Sequence, residues 1–244
     1  MQALEDAAFA AWPSQESFSL HGWRIRLDRG YTKRANSANA TAAARPLSDA
    51  DIAGIEARFR LGGLTPVFRL TSFAPVREVD AALERRGYLR RDFSLVMARD
   101  LSQADDAADP AMAADAAAWL ESFRAVSGKD GADQAAHLDI LRRIAHPCAW
   151  GMQAPGGVAL CCGLGVLADG AVGLFDLATR ADSRRQGRAR ELCGRLVSWG
   201  RRHGARRAFL QVVQANRDAV ALYGTLGFRV AYGYWYRVHP AGSV

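Results

Sequence analysis

Twice in this chain a glycine-aromatic pair, Gly87-Tyr88 and Gly227-Phe228, stands between a helical pattern and a strand-like one. A glycine there lets a helix end in a left-handed turn, so that the chain can reverse into a sheet. With the pairs aligned, 140 positions apart, Phe68 falls one residue from Phe209. Val79-Asp80-Ala81-Ala82-Leu83 then falls beside Ala219-Val220-Ala221-Leu222-Tyr223. Each half reads as hairpin strands, helix, strand, helix, Gly-aromatic, strand. Recurrence at this scale marks a duplicated unit. The expected fold is therefore α/β, of the α+β kind, with two mixed-sheet halves. Residues 102–113, acidic, small and proline-containing, read as a linker between a first half at 1–101 and a second at 114–244.

The pattern places individual elements as well. In the first half, residues 18–28 alternate as a strand pair turning at His21-Gly22, and an extended stretch near 33–36 is expected to pair with it. Residues 48–60 read as a helix capped by Ser48, with Ile52, Ile55 and Phe59 on one face and Gly62-Gly63 as its stop. A strand at 66–71, a helix at 76–86 and a strand at 93–97 complete this half. The second half opens with helices near 115–125 and 132–144. Strands at 149–153, 158–166 and 171–178 follow, separated by Pro155-Gly156-Gly157 and Asp169-Gly170 turns. A helix starts at Gly187, with Ala189, Leu192, Cys193, Leu196 and Val197 at helical spacing. A strand at 208–213, a helix at 217–226 and a strand at 228–238 close the chain.

At 244 residues and 50% hydrophobic, the chain can bury a full core. No apolar run approaches the roughly 20 residues that span a bilayer. The first twelve residues carry Glu5 and Asp6 and lack the basic flank and apolar stretch of a leader, so the expected location is the cytoplasm. Cys148, Cys161, Cys162 and Cys193 show no metal spacing and read as small core residues. The net charge of +7 is unevenly spread. Residues 1–140 hold 17 Lys/Arg against 20 Asp/Glu, and residues 141–244 hold 15 Arg against 5 Asp/Glu. An Arg-only basic half suits a polyanionic ligand, because guanidinium forks match phosphate oxygens. A phosphorylated cofactor and nucleic acid both qualify. Nucleic acid is the weaker candidate, since aromatic residues are not interleaved with these arginines as stacking platforms.

The chemistry concentrates at residues 171–190. A strand with Val172, Leu174 and Leu177 runs into an Arg-rich loop, then Gly187, then an amphipathic helix. The helix start offers free N–H groups and the positive end of its dipole, which together suit a pyrophosphate. Arg184, Arg185, Arg188 and Arg190 add charge, and Gly187 and Ala189 keep the backbone approachable. An arginine-rich solvated helix start would look the same. No GxxxxGK[ST] loop occurs, and Gly163-Leu164-Gly165-Val166-Leu167-Ala168 leads to another strand instead of the helix a dinucleotide loop needs. Farther on, Asn216 begins a helix and Tyr223 lies two turns later on the same face. Read plainly, Asn216 is a cap and Tyr223 a half-buried aromatic residue.

Arg184-x-x-Gly187-x-Ala189 after a strand resembles the [RQ]xxGx[GA] pyrophosphate motif of the GNAT superfamily of N-acetyltransferases. Asn216-x-x-Ala219-x-x-Leu222-Tyr223-x-x-x-Gly227-Phe228 resembles the same superfamily's later NxxAxxLYxxxGF motif, and one helix plus one strand separate the two. The resemblance covers residues 115–238. The first half lacks both signatures and resembles a degenerate copy, as in tandem members. The resemblance implies a complete acyl-CoA N-acyltransferase fold in the second half, acetyl-CoA as cosubstrate and an amine acceptor. It implies that the backbone of Leu177, Ala178 and Thr179 holds the acetyl and pantetheine arm. Amides across Arg184, Arg185, Gln186, Gly187, Arg188, Ala189 and Arg190 would hold the pyrophosphate. Asn216 would contact the CoA arm, and Tyr223 would sit near the thioester sulfur.

For direct attack, a lysine-like amine must lose a proton held with a pKa near 10.4, which costs roughly 4–5 kcal/mol at neutral pH. A base or water chain eases that step. Tyr223, still protonated at neutral pH, is the expected acid for the departing thiolate, and Asp176, on the strand beside the acetyl group, the expected base. His137 and His146 read as structural histidines. The first half carries no phosphate loop and is expected to bind no CoA of its own. A tandem chain satisfies internally the contact that single-copy members make by dimerising, which favours a monomer. A catalytically silent acyl-CoA sensor is the competing reading.

Overall fold

The computed structural model describes residues 1–102, 107–128 and 133–240. Helix α1 (Gln2–Ala11) leads into the β1 (Glu16–Leu20) and β2 (Trp23–Leu27) hairpin. Strand β3 (Ser37–Ala40), α2 (Asp49–Leu61), β4 (Val67–Thr71), α3 (Arg77–Arg85) and β5 (Leu89–Asp100) complete the first half. The second half comprises β6 (Ala111–Met112), α4 (Ala116–Ser127), α5 (Gln134–Arg142), β7 (Cys148–Gln153), β8 (Cys161–Ala168) and β9 (Ala171–Thr179). It continues through α6 (Arg188–Arg202), β10 (Arg207–Val213), α7 (Arg217–Thr225) and β11 (Arg229–Val238). The mixed α/β architecture is the expected one.

The described strands form one 11-stranded sheet in the order β1-β2-β3-β4-β11-β5-β10-β9-β8-β7-β6. The order shows the duplication. In each half an antiparallel run ends in a parallel pair, β3 with β4 and β9 with β10, each bridged by a helix. The last strand of each half then crosses to the other. Strand β5 lies antiparallel between β10 and β11, and β11 lies between β4 and β5. The sheet is therefore continuous across the segment at 102–113, whose Ala111–Met112 form the edge strand β6 against β7.

Three apolar clusters fix the layers. Trp12, Trp119, Phe123, Ile140 and Phe175 join the region of α1, α4 and α5 to β8 and β9. Leu192, Leu196, Leu210 and Phe228 hold α6 and α7 to β9 and β10. Ile52, Ile55, Phe59, Phe68 and Leu83 hold α2 and α3 under the first half. The expected helical stripes are thus the buried ones. Three of the four cysteines, Cys161, Cys162 and Cys193, are buried thiols, and burial pushes Cys162 up to about 12.

Some elements differ from the sequence pattern. Residues 33–36 turn: the N–H groups of Ala35 and Asn36 donate back to the carbonyls of Thr32 and Lys33, and extended pairing starts at Ser37. Strand β8 begins at Cys161 rather than near 158, after the turn at Pro155–Gly157. Helix α1 has no counterpart in the pattern. Its buried residues are Leu4, Glu5, Ala7, Ala8, Phe9 and Ala11, in which small alanines and a charge blur the apolar stripe. The start expected for α5 at 132 lies outside the described residues.

Candidate active site

Strands β9 and β10 pair in parallel only from Arg207↔Ala171 to Leu210↔Leu174, and then diverge. Beyond that point Phe175–Thr179 keep their β8 partners on one edge, Cys162↔Ala178 and Cys161↔Thr179, and among the described residues no strand pairs with the other edge. Unpaired backbone N–H and C=O groups along such an edge can hold an extended, amide-containing ligand as a further strand would be held. The divergence opens a cavity of about 1690 Å³ lined from both halves of the chain.

A bulge helps shape the wall. Asp176 and Leu177 together oppose Gly163, and Asp176 takes φ 46, a left-handed conformation that Asp tolerates better than most residues. A Cβ on Gly163 would come within 2.5 Å of Leu177 Cδ2, so a larger residue there would force the Leu177 side chain to move. The Asp176 side chain stays at the cavity wall with only 12% of its surface exposed.

At the mouth, a one-turn helix (Ala181–Ser183) leads into the arginine loop and the start of α6. Gly187 caps α6 at φ 76 with no side chain satisfying the first-turn N–H groups. Open space surrounds the place where its side chain would be, so both its backbone angle and its access depend on being glycine. Arg184, Arg185, Gly187, Arg188, Ala189 and Arg190 all line the cavity, as do Leu177, Ala178, Thr179, Asn216 and Tyr223. Gln186 does not. Its amide donates to the Asp182 carbonyl and accepts from Arg188, so it braces the loop. Arg184 also donates to the Thr179 carbonyl, tying the loop to the end of β9.

Helix α7 supplies the opposite wall. The Asn216 side-chain oxygen accepts from Ala219 N–H, so the capping role is real, while the residue still faces the cavity. Its amide nitrogen remains a donor for a ligand. Tyr223 is 9% exposed at the cavity edge. Burial, then the neighbouring Cys193 and Cys161, push its hydroxyl well above the ordinary tyrosine range, so it keeps its proton at neutral pH.

The first half contributes a wall to which the sequence assigned no site residue. Tyr31, Thr32, Lys33 and Arg34, in the loop between β2 and β3, line the cavity opposite Asp176. Arg34 reaches to 3.5 Å from Asp176 Oδ1 and lies over the ring of Trp12. His137 Nε2 lies 2.9 Å from Asp176 Oδ2, off the direct line of a hydrogen bond, and His137 Nδ1 lies 2.9 Å from the Tyr31 hydroxyl. His137 does not line the cavity itself: it is buried behind the wall, packed among Trp12, Tyr31 and Phe123 as a structural histidine would be, and touches two residues that do line it. No local spacing links positions 31, 137 and 176; only the fold does.

Comparison with known proteins matches residues 1–237 to the family described as "Probable histone acetyltransferase Rv0428c C-terminal". The chain belongs to this family. It is 27% identical over 252 residues to an uncharacterized N-acetyltransferase, YobR, of Bacillus subtilis (strain 168), covering 98% of each chain. Its fold matches a GCN5-related N-acetyltransferase from Kribbella flavida at a TM-score of 0.74, with 16% identity over 100% of this chain and 97% of that one. It also matches a tandem GNAT protein from the clavulanic acid biosynthesis pathway at 0.59, with 13% identity over 96% and 87% of the two chains. The protein is a GNAT-type acyltransferase. Within this GNAT pair of halves, the open, arginine-lined helix start is one-sided. The helix of the first half that corresponds to α6 is α2, and its start is closed by a capping box in which Ser48 and Asp51 satisfy each other's backbone N–H groups. Asp49 and Asp51 in its first turn repel an anion.

Proposed function

We propose that this GNAT enzyme transfers the acetyl group of acetyl-CoA to a primary amine by direct attack, with Tyr223 as the acid for the leaving thiolate. The observation that carries the reading is the divergence of β9 and β10. It brings an unpaired strand edge, the arginine-lined start of α6, Asn216 and Tyr223 around one cavity. In this reading the pyrophosphate lies at the amides between Arg184 and Ala189 with Arg190 alongside, and Gln186 braces the loop. The pantetheine arm runs along Leu177, Ala178 and Thr179 past Asn216, and the thioester sulfur stops near Tyr223.

The acceptor enters from the side walled by Tyr31 and Arg34, and its proton goes to the group centred on Asp176. The matched family's description names histones, so a lysine side chain belongs among the candidate amines. Among the described residues no helix is long and apolar enough to cross a membrane. Free thiols and use of acetyl-CoA fit a reducing cytoplasm. The strand exchange inside one chain favours a monomer.

Tyr223→Phe tests the acid. Steady-state kinetics should show kcat reduced by about 100-fold, the scale of a lost general acid, with acetyl-CoA affinity retained. Unchanged kcat removes Tyr223 from that role.

A further inference from the structure

The buried histidine of α5 has no part in binding the donor, yet it joins the two halves at the acceptor side. We propose that Tyr31, His137 and Asp176 form a proton relay in which His137 receives the acceptor amine's proton through the Tyr31 hydroxyl. The proposal rests on the acyl-transfer reading above.

Three observations support it. First, the order is that of a relay: Tyr31 Oη is 2.9 Å from Nδ1, and Asp176 Oδ2 is 2.9 Å from Nε2 on the far side of the same ring. A carboxylate beside Nε2 favours the tautomer with its proton there, which leaves Nδ1 to accept from Tyr31. Second, the ring is held. Tyr31 stacks on it at 4.4 Å between centroids, while Phe123 and Trp12 pack against it at 5.7 Å. At 3% exposure His137 meets solvent only through its neighbours, whereas Tyr31 and Asp176 line the cavity. Third, Asp176 is engaged by Arg34, and a carboxylate facing a guanidinium is a poor primary base. It is well placed to stabilise an imidazolium instead.

Among the described residues, the charged groups acting on Tyr31 are Asp176 on β9, Arg34 from the β2–β3 loop and Asp133 ahead of α5. Asp139 on α5 is taken by Arg29, and α4 presents Phe123. Burial, then Asp176, push the Tyr31 hydroxyl well above its ordinary value. Tyr31 therefore passes a proton on rather than standing as a phenolate.

The protons balance. As the ammonium N–H bond breaks, the Tyr31 Oη–H bond forms and Tyr31's own proton moves to His137 Nδ1. The freed lone pair attacks the thioester carbon and the C–S bond breaks. The second amine proton ends on the sulfur by way of Tyr223, and the proton on His137 leaves to water.

The test compares wild type, Tyr31→Phe and His137→Gln with acetyl-CoA and a reactive amine across pH. Tyr31→Phe should lower kcat on the order of 100-fold with CoA affinity unchanged, and His137→Gln should abolish the acid limb of the kcat/KM profile. Should His137→Gln fail to fold, Tyr31→Phe at the cavity wall still decides the matter, together with the ¹⁵N shifts of the wild-type imidazole. Those shifts should report the Nε2–H tautomer. Full turnover in Tyr31→Phe, or an Nδ1–H tautomer, overturns the relay alone. Absence of CoA release by wild type with every amine overturns the transferase reading, and the relay with it.

Discussion

Glu5 shows how much a single residue can carry. It is 1% exposed on α1 and grips Arg69 of β4 through both guanidinium nitrogens at 2.5 and 2.8 Å, while Tyr232 of β11 donates its hydroxyl to the same carboxylate. One carboxylate thereby ties the first helix to two central strands. Removing one member of a buried pair leaves the other charged and unpartnered, which costs about 3–5 kcal/mol. Glu5→Ala should lose that much in urea denaturation, and a loss below about 1 kcal/mol, the scale of an exposed pair, would contradict the account. In the sequence Glu5 reads only as a charge near the start of the chain, because its partners lie 64 and 227 positions away. By contrast, Gly187, Ala189, Asn216 and Tyr223 stand in local motifs that the sequence displays, and the fold brings all four to one cavity, where the proposed donor would lie. Tyr31 and His137 fall on the other side of this divide. Asp176 lies between: its strand was evident, but the bulge that sets its direction arises in the pairing with β8 across the hairpin.

Among elements, the last strand of each half is the informative one. The repeated glycine-aromatic turn announced β5 and β11, and both form as expected after Gly87 and Gly227. Their exchange was not legible, because a strand's sequence records its alternation and not its neighbour. Each crosses to complete the other half's sheet, so neither half closes its sheet with its own residues. A fragment of residues 114–244 would leave the edges of β10 and β11 without β5. Such unpaired central edges invite association. The fragment should aggregate and bind no CoA, and co-expression with residues 1–101 should restore both solubility and binding. A monomeric 114–244 fragment that binds CoA unaided would show that the exchange is dispensable.

For the whole molecule, the two halves share a strand order but differ at the helix that bridges each parallel strand pair. The second half keeps the open helix start and its arginines. In the first, a capping box closes the corresponding helix start, and the loop between β2 and β3 serves instead as a wall of the shared cavity. In the proposed function the second half holds the phosphorylated donor, and the first shapes where the acceptor stands. The most direct measurement is CoA release from acetyl-CoA across an amine panel that includes lysine peptides, with product mass determined in parallel. The account predicts CoA released in step with an N-acetylated product for at least one amine. Acetyl-CoA that binds tightly and is never cleaved with any amine would contradict it and leave a silent acyl-CoA sensor.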